Sequence, residues 1–482
     1  MKHKDLPRLL SRRKVLGGLA SGAALSVLPL PVLSAATDAD VREFHLKAQP
    51  SITTILGGEW GDTPVWSYNG KVPGPVLRAK QGERVRIHFE NGLSEPTTVH
   101  WHGMRIPIEM DGVPDISQKP VQPGETFTYE FTVPDAGTFW YHPHVNTPEQ
   151  VARGLSGVFI VDELEPPQVD REELWVLDDW RLNKDATIRE DFGRGMDISH
   201  GGRFGNLATL NGKLPGNFVV TSGERIRLRL ANVANARIFG LRFEGHDPQV
   251  IAIDGHPVAP HPISDGVLVI GPGQRVDLML DCLGQPGDTF SVVEDFMLDQ
   301  PYRMIDGVYA SATPLREKPI GPVQALPANP LNEVDLANAL QHEIVIQGGA
   351  MGSMAGAELN GTYMDIRTLV QNGRVWALNG KAAHTTAMPP ILTAKYGSTN
   401  VVTVRNNTVF PHPMHLHGHA FRILKTNGKE EPLRPWADTL LLAPQGGTAE
   451  IAFVADNSGD WLFHCHILEH TAGGMLSVFR VT

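Results

Sequence analysis

Histidines separated by one residue are the feature of this sequence with the clearest chemical meaning. The 482-residue chain contains 20 histidines and five His-x-His pairs, of which roughly one would arise by chance. On a β-strand, residues two apart point to the same face, so each pair presents two imidazoles to one site. The four pairs of interest are His100/His102, His142/His144, His415/His417 and His464/His466. Imidazoles grouped in this way are typical ligands of transition metals.

The chain repeats itself three times, and the histidine pairs lie at equivalent places in the outer two copies. Asn-Gly-Lys occurs at positions 69, 211 and 379, and each copy continues to a strand that closes on an asparagine. Nine residues past that asparagine stand His100, Leu241 and His415. Positions 142 and 464 match in the same way, and the middle copy has Val292 and Glu294 at the related place. A shared metal site therefore requires the first and third copies to be in contact, with the second as a spacer.

A cysteine stands between the two histidines of the last pair. In a strand, His464 and His466 face one side and Cys465 the other, so sites on the two faces would be joined by few covalent bonds. That arrangement suits electron transfer between unlike sites. Cys282, the only other cysteine, follows an apolar strand-like run and is predicted to be a buried hydrophobe. His419, which lies beyond the aligned positions, is predicted to be structural.

The thiolate side has further candidate ligands. His412 precedes the third-copy pair, and His470 and Met475 follow Cys465. Two imidazoles, a thiolate and a weak thioether are the ligand set of a blue-copper centre. Zinc also binds histidine and cysteine, but a thioether adds little for zinc, and ten clustered histidines exceed one tetrahedral site. The residue types therefore favour copper.

Short strands joined by tight turns must position these side chains. Hydrophobic residues make up 41% of the chain, and 49 Gly and 37 Pro disfavour long helices. Alternating runs with turn signals predict an all-β protein of three Greek-key β-sandwich domains. We place the domains at residues 37–165, 166–310 and 336–482, with the proline-rich residues 311–335 as the linker between the last two.

The first 36 residues have the layout of a secretory signal. Basic residues precede an apolar run, and Ser11-Arg12-Arg13-Lys14-Val15-Leu16 resembles the twin-arginine type. Small residues at positions 34–36 predict cleavage after Ala36, with delivery to the periplasm by the twin-arginine export machinery. A retained membrane anchor is the alternative, but glycines and prolines break the run, so we expect no stable membrane insertion of the mature protein.

Cleavage would also make the protein more acidic. It removes six basic residues and one acidic residue, which takes the formal net charge from −11 to −16. An acidic surface repels polyanions, so nucleic acid is not expected as a partner.

Four segments resemble those of the multicopper oxidases, the laccase and cuprous-oxidase family. They are His100-Trp101-His102-Gly103, Tyr141-His142-Pro143-His144, His412-Pro413-Met414-His415-Leu416-His417-Gly418, and His464-Cys465-His466-Ile467-Leu468-Glu469-His470 with Met475. The resemblance covers nearly the whole mature chain. It implies three cupredoxin-like domains and four copper ions, one of type 1, one of type 2 and two of type 3.

The resemblance also implies a role for each ligand. The type 1 copper would be bound by His412, Cys465, His470 and axial Met475. The type 2 copper would be bound by His100 and His415. One type 3 copper would be bound by His102, His142 and His466, and the other by His144, His417 and His464. Every ligand position of the family motif is filled, unlike in relatives that have lost their copper.

The family mechanism implies electron transfer from type 1 copper through Cys465 and its flanking histidines to dioxygen, which is reduced to water. Asp111, nine residues after His102, stands where relatives place an acid, and we predict a proton-relay role for it. A solvated loop carboxylate is the alternative. Many bacterial relatives carry an acid after the last histidine ligand, where this chain has Thr471. Glu469 is a possible substitute, with a structural role as its alternative.

The reductant is predicted less directly. We expect laccase-like oxidation of phenols and aromatic amines, with cuprous-ion oxidation as the alternative. Methionine sulfur suits cuprous ion, and the third copy contains Met351, Met354, Met364 and Met388. Core or loop packing is the competing explanation for these four residues. Two readings without enzyme activity are a periplasmic copper-sequestering protein and a structural protein, and the complete ligand set argues against both.

Overall fold

The chain is built almost entirely from β-strands. The computed structural model describes residues 41–57, 59–296, 300–386 and 388–482. Strands make up 46% of it and helices 6%, so the predicted all-β class is confirmed. The short helices are α1 (Thr147–Ala152), α2 (Gly195–Ser199), α3 (Ile366–Gln371) and α4 (Leu468–Ala472). One-turn 3-10 helices span Ile108–Met110 and Ser264–Gly266.

The first pair of sheets is formed by eight strands. They are β1 (Val41–Thr53), β2 (Thr63–Tyr68), β3 (Leu77–Lys80), β4 (Arg84–Asn91), β5 (His100–His102), β6 (Thr126–Thr132), β7 (Gly137–His142) and β8 (Gly157–Asp162). The sheet orders are β2-β1-β4-β6 and β3-β8-β7-β5. Val85, Ile87 and Phe89 alternate along β4 and are buried against Phe159 and other residues of the second sheet. The hydrophobic core therefore lies between the two sheets.

The second pair of sheets follows the same plan. Its strands are β9 (Arg171–Trp180), β10 (Leu207–Leu210), β11 (Asn217–Val220), β12 (Glu224–Asn232), β13 (Phe239–Phe243), β14 (Gln249–Ile253), β15 (His256–Pro262), β16 (Leu268–Ile270), β17 (Arg275–Cys282), β18 (Thr289–Glu294) and β19 (Tyr302–Tyr309). The sheet orders are β10-β9-β12-β17-β14-β15 and β11-β19-β18-β13-β16. Leu241 and Val292 are fully buried in the core between them.

The third pair of sheets ends the chain. Its strands are β20 (Leu340–Gly348), β21 (Gly356–Leu359), β22 (Thr362–Asp365), β23 (Trp376–Leu378), β24 (Leu392–Ala394), β25 (Thr399–Asn406), β26 (His412–Leu416), β27 (Phe421–Thr426), β28 (Lys429–Glu430), β29 (Trp436–Ala437), β30 (Thr439–Leu442), β31 (Thr448–Val454), β32 (Gly459–Cys465) and β33 (Leu476–Val481). The main orders are β23-β20-β25-β31-β27-β28, with β29 beside β27, and β24-β33-β32-β26-β30. Strands β21 and β22 form a separate hairpin.

The repeated Asn-Gly-Lys sequence forms the same turn in each copy. Asn69, Asn211 and Asn379 all have positive φ, as do the glycines that follow them, which is the backbone that tight hairpin turns require. Each asparagine side chain also bonds the backbone of a neighbouring strand, for example from Lys47 N to Asn69 Oδ1 at 2.7 Å. The turn residue therefore fixes strand pairing as well as chain reversal.

The closing asparagine of each copy holds the loop that follows it. The buried Asn91 side chain donates to the carbonyls of Glu95 and Val121. Asn406 does the same for the carbonyls of Phe410 and Ala443. These loops lead to the first histidine of each pair, so the asparagines help to position the site.

The predicted linker has no strand or helix between positions 310 and 339, yet it is held in place. Leu326 is buried beside Ile251 and Met279. The Asn329 side chain accepts from the Ala136 amide at 2.8 Å and donates to the Ala136 carbonyl at 2.9 Å. The domain limits at 165 and 335 stay a prediction.

The secretory signal predicted for residues 1–36 lies outside the described residues. Within the described part of the chain, no helix has the length and apolar character needed to cross a membrane.

Candidate metal centre

Two pairs of neighbouring strands carry the predicted histidines. In the first pair of sheets, β5 runs antiparallel to β7 and His100 lies opposite His142. In the third pair, β26 runs antiparallel to β32 and His415 lies opposite His464. The second histidine of each pair stands at the end of the same strand or just beyond it. Strand register thus gathers four imidazoles in each outer repeat.

The two sets of imidazoles meet in one buried cluster. The rings of His100 and His417 stack with centroids 3.9 Å apart, and those of His102 and His415 stack at 3.7 Å. Three groups have ligand atoms within 4.8 Å of one another: His100/His102/His415, His102/His142/His466 and His144/His417/His464. The last two groups have the same members as the two predicted type 3 sets.

Backbone carbonyls fix the tautomers of several rings. The Nδ1–H of His100 donates to the Asp111 carbonyl, and that of His415 to the Asp438 carbonyl, each at 2.9 Å. A carbonyl oxygen only accepts, so each Nε2 keeps its lone pair. The Nε2 atoms of His100, His142 and His415 are buried without a hydrogen-bond partner in the described part of the chain. Buried lone pairs of this kind are costly unless a cation meets them.

The requirement for a cation is more direct at His417 and His464. Their Nε2 atoms lie 3.0 Å apart. The Nδ1–H of His417 donates to the Asp111 carboxylate and that of His464 to the Cys465 carbonyl, each at 2.9 Å. Two lone pairs therefore face each other, and they repel unless they share a cation. The donor set fits metal ions bound by neutral imidazole nitrogens, as copper is.

Cys465 belongs to a second buried group behind the cluster. Its Sγ lies 3.6 Å from Nδ1 of His412 and 3.6 Å from Nδ1 of His470. The Nε2–H of His470 donates to the His200 carbonyl at 2.6 Å, which leaves the Nδ1 lone pair free for a metal. Met475 is fully buried, and its carbonyl accepts from the Cys465 amide. These residue types fit a blue-copper centre.

Burial keeps the imidazoles neutral and opposes ionisation of the thiol. It lowers the pKa of His464 and of His470 to about 3, and it holds the pKa of His102 well below its usual range. It raises the pKa of the Cys465 thiol. Neutral imidazoles bind metal directly, and a bound cation would offset the cost of the buried thiolate.

Asp111 lies inside the cluster and touches two of its rings. Its Oδ1 is 3.2 Å from Nδ1 of His100, and its Oδ2 is 2.9 Å from Nδ1 of His417. The side chain is 2% exposed. Such burial does not agree with the alternative of a solvated loop carboxylate.

Sequence reasoning missed a second buried carboxylate, Asp438. Its Oδ1 lies 3.1 Å from Nε2 of His102 and 3.3 Å from Nδ1 of His415. Burial alone would raise the pKa of Asp438. The charge and hydrogen bonds of Arg275 nevertheless hold that pKa well below its usual range. A signal was available, because Asp438 interrupts the mainly apolar run 436–442. An acid in such a run needs a buried partner.

Family models for multicopper oxidases match the chain in three places, at residues 49–166, 172–314 and 360–482. The multicopper oxidase MmcO of Mycobacterium tuberculosis is 30% identical over 494 aligned residues, which cover 95% of this chain and 90% of that protein. The chain belongs to the multicopper oxidase family. The resemblance found in the four histidine segments is therefore confirmed.

Solved structures of multicopper oxidases share the fold. The enzyme from Pseudomonas thermotolerans has a TM-score of 0.80 and 33% identity, covering 92% of this chain and 99% of that one. A bacterial laccase-like multicopper oxidase from Ochrobactrum sp., described as an oxidase of lignin model compounds and lignosulfonate, has a TM-score of 0.75 and 27% identity, covering 92% and 98%. Three cupredoxin-like sandwiches are thus the family's architecture.

In this multicopper oxidase, the two polar residues beside the last predicted ligands have different surroundings. The Thr471 hydroxyl donates to the Cys465 carbonyl and lies 3.3 Å from Nδ1 of His464. Glu469 instead accepts from the Asn235 side chain at 2.9 Å and from the Arg203 amide at 3.0 Å. Thr471 therefore touches the cluster, whereas Glu469 joins α4 to the second pair of sheets.

A cavity of about 400 Å³ reaches the cluster from the Thr471 side. Its lining includes His144 and His464 as well as Arg374 and the exposed His384. Among the described cavities it is the one that brings solvent-sized space to the predicted type 3 ligands.

The remaining predicted residues lie apart from the metal groups of the described chain. His419 packs on Phe453 and Trp461 and donates to the His417 carbonyl, as a structural histidine does. Cys282 is fully buried in the second core.

The four third-copy methionines do not form one group. Met354 and Met364 pack on a small cluster that includes Leu359, and Met388 packs on a different one. Met351 alone is strongly exposed, at 77%. Packing therefore accounts for three of the four residues.

Proposed function

We propose that this multicopper oxidase couples one-electron oxidation of phenols and aromatic amines to the four-electron reduction of dioxygen to water. Eight imidazoles from the outer repeats converge on one buried cluster with a cysteine behind it, and this convergence carries the proposal. Copper, when bound, supplies the redox chemistry at both places.

In this proposal the chain holds four copper ions. Type 1 copper takes His412, Cys465, His470 and Met475. Type 2 copper takes His100 and His415. The type 3 coppers take His102, His142 and His466, and His144, His417 and His464. The unpartnered nitrogens and the facing lone pairs described above support these assignments.

Cys465 links the two places through the chain itself. Its neighbours His464 and His466 belong to the histidine cluster, and its carbonyl accepts from the His464 ring at 2.9 Å. An electron that leaves the sulfur therefore has a short route of covalent bonds and one hydrogen bond.

The protons that dioxygen reduction requires are assigned to two carriers. Asp111 keeps a carboxylate against the rings of His100 and His417, where it can take and return a proton at Oδ1 or Oδ2. The cavity beside Thr471 gives water a route to the same cluster, so a hydroxyl and solvent replace the acid that relatives place there.

The reductant is proposed to dock over the 195–203 segment. His470 is fully buried and its Nε2–H is bonded to the His200 carbonyl, so a substrate meets that segment before it meets the ring. The activity described for the Ochrobactrum relative supports phenolic substrates. Cuprous ion is the second candidate, because the exposed Met196 and Met351 lie on segments joined by the Ala350 amide and the Ser199 carbonyl at 2.7 Å.

We also propose that the protein works in the periplasm after removal of residues 1–36. The support is the twin-arginine-like sequence and the mature charge of −16. N-terminal sequencing of the protein recovered from periplasm tests it: a chain that begins at Thr37 is expected, and an intact Met1 in the cytoplasm contradicts it.

Oxygen uptake with a dimethoxyphenol, with and without added copper, tests the function. We expect copper-dependent uptake with four phenol oxidations per dioxygen. Copper binding without uptake would support sequestration, and a chain that binds no copper would support a structural role; either outcome contradicts the proposal.

The reductant is tested by a Met196→Leu/Met351→Leu double variant, with Met354→Leu/Met364→Leu as the matched packed control. A phenol oxidase keeps its phenol rate in both variants. A higher catalytic efficiency for cuprous ion than for phenol in the wild type, lost selectively in the first variant, would make cuprous ion the better-supported reductant.

A further inference from the structure

Arg275 brings the second pair of sheets, expected to act only as a spacer, into contact with the metal cluster. It opens β17 and has no exposed surface. Its guanidinium is bidentate on Asp438, with Nη1 donating to Oδ1 at 2.9 Å and Nη2 to Oδ2 at 2.5 Å. It also donates to the carbonyls of Gly273, Thr138 and Asp254. All three nitrogens of the guanidinium are therefore held by hydrogen bonds.

Asp438 passes this constraint to two imidazoles. The Nε2–H of His102 donates to Oδ1 at 3.1 Å, and Nδ1 of His415 lies 3.3 Å from the same oxygen. A carboxylate only accepts, so His102 must carry its hydrogen on Nε2 and present Nδ1 as a lone pair. That Nδ1 is buried without a hydrogen-bond partner in the described residues.

The segment that carries Asp438, between β29 and β30, is held from the same side. The Asp254 carboxylate accepts from the backbone amides of Asp438 and Thr439, at 3.2 and 3.0 Å. Gly273 lies so close that a Cβ there would come within 3.0 Å of the His102 and His466 rings. A Cβ on Gly103 would overlap Arg275 and Asp438. Neither glycine position therefore has space for a side chain.

We propose that Arg275 is a positioning residue for the three-copper cluster: it orients Asp438, which sets the tautomer and direction of His102 and steadies His415. The inference rests on the proposed function, because it assigns these two histidines to copper. The second repeat then supplies a residue that orients the copper-binding side chains of the cluster.

A purely structural role is the competing explanation, and Arg227 provides the matched control. Arg227 lies on β12 in the same sheet, is 1% exposed, and pairs with Asp277 and Glu163. In the described part of the chain it makes no hydrogen bond or ion pair with Asp438 or with any histidine of the cluster. Its loss removes a comparable buried ion network and leaves the contacts of Arg275 with Asp438, and of Asp438 with the two histidines, intact.

The test compares Arg275→Met, Arg275→Lys and Asp438→Asn with Arg227→Met, each loaded with copper and then titrated with a chelator. Copper per chain, the Cu(II) paramagnetic resonance signals and the blue thiolate absorption are recorded. We expect Arg275→Met and Asp438→Asn to hold cluster copper about 10- to 100-fold more weakly, with the blue absorption retained. The affinity of Arg275→Lys for cluster copper should fall between theirs and that of wild type, because lysine keeps the positive charge but cannot form the bidentate pair with Asp438.

Arg227→Met should lower thermal stability without selective loss of cluster copper. Equal retention of cluster copper in Arg275→Met and Arg227→Met would overturn the positioning role, as would an Asp438→Asn variant with wild-type signals. If Arg275→Met does not fold, Arg275→Lys and Asp438→Asn decide by the same signals. A wild-type protein that binds no copper would overturn the proposed function itself, which is a different outcome.

Discussion

The outer repeats and the middle repeat share one scaffold but fill it differently. All three use the Asn-Gly turn, and in all three a buried asparagine holds the loop after its strand. Where the outer repeats place His100 and His415, the middle repeat places Leu241, which is fully buried in an apolar core. A few positions therefore decide whether the same framework packs as a hydrophobic core or presents imidazoles to a metal.

The two cysteines offer the largest contrast between the regions. Cys465→Ser is expected to abolish the blue absorption and phenol oxidation, because the hydroxyl is a poor copper ligand. Cys282→Ser, at a buried site of the middle repeat, should retain both. Absorption spectra and oxygen uptake check the pair, and oxidase activity in Cys465→Ser would contradict the assignment.

Buried carboxylates give the next contrast. Compared at equal copper content, Asp111→Asn should slow dioxygen reduction by about 10²- to 10⁴-fold, because the amide cannot relay a proton. Glu469→Gln, whose partners are Asn235 and Arg203, is the control and should retain its rate. Stopped-flow reoxidation of the reduced enzyme separates this step from substrate oxidation; a normal rate in Asp111→Asn would assign it a structural role.

The histidine-rich regions should make the copper-free protein sensitive to acid. Burial lowers the folded-state pKa of His464 and His470 to about 3. The unfolded chain, with a pKa of about 6.5, takes up protons first, so stability is lost as the pH falls from about 6.5 towards about 3. Each such histidine adds a slope of up to about 1.4 kcal/mol per pH unit. Urea unfolding at several pH values checks this, and a flat profile contradicts it.

An apolar substitution in the middle repeat should act on stability alone. Leu241→Ala is expected to cost about 2–5 kcal/mol of unfolding free energy by leaving a cavity, with the copper content of the folded protein unchanged. His415→Ala should instead act mainly on metal binding and lose cluster copper. Chemical denaturation and metal analysis of both variants test the contrast, which fails if Leu241→Ala loses copper selectively.

The smallest expected effect is a loss of stability on replacing the turn asparagines, and it should be the same in all three repeats. Asn69→Ala, Asn211→Ala and Asn379→Ala each remove two hydrogen bonds to a neighbouring strand, at a cost of about 1 kcal/mol per bond. Thermal unfolding of the three variants should give similar shifts. A much larger shift in one repeat would show that the turn does not have a common role.

Much of this site could be predicted because its ligands are local in sequence. A His-x-His pair on a strand fixes the direction of both rings, and the repeat showed which pairs correspond. Asp438 and Arg275 were missed because their importance depends on contacts between repeats, and neither residue lies in a repeated motif. For the third-copy methionines, packing was the competing explanation, and it accounts for three of the four, since sequence proximity in 351–388 does not bring their side chains together.

The second repeat was also underestimated as a spacer. It contributes no imidazole to the metal groups of the described residues, but Gly273 lies against the His102 and His466 rings, and Arg275 reaches His102 and His415 through Asp438. Such contacts follow from how three sandwiches pack, which strand periodicity does not encode.

Anomalous diffraction at the copper edge, from crystals of the copper-loaded protein, tests the central claim most directly. The account predicts a cluster of three copper peaks, each bounded by imidazoles and together joining both outer repeats, and a fourth peak beside Cys465. Copper peaks confined to one repeat, or none beside Cys465, would contradict it.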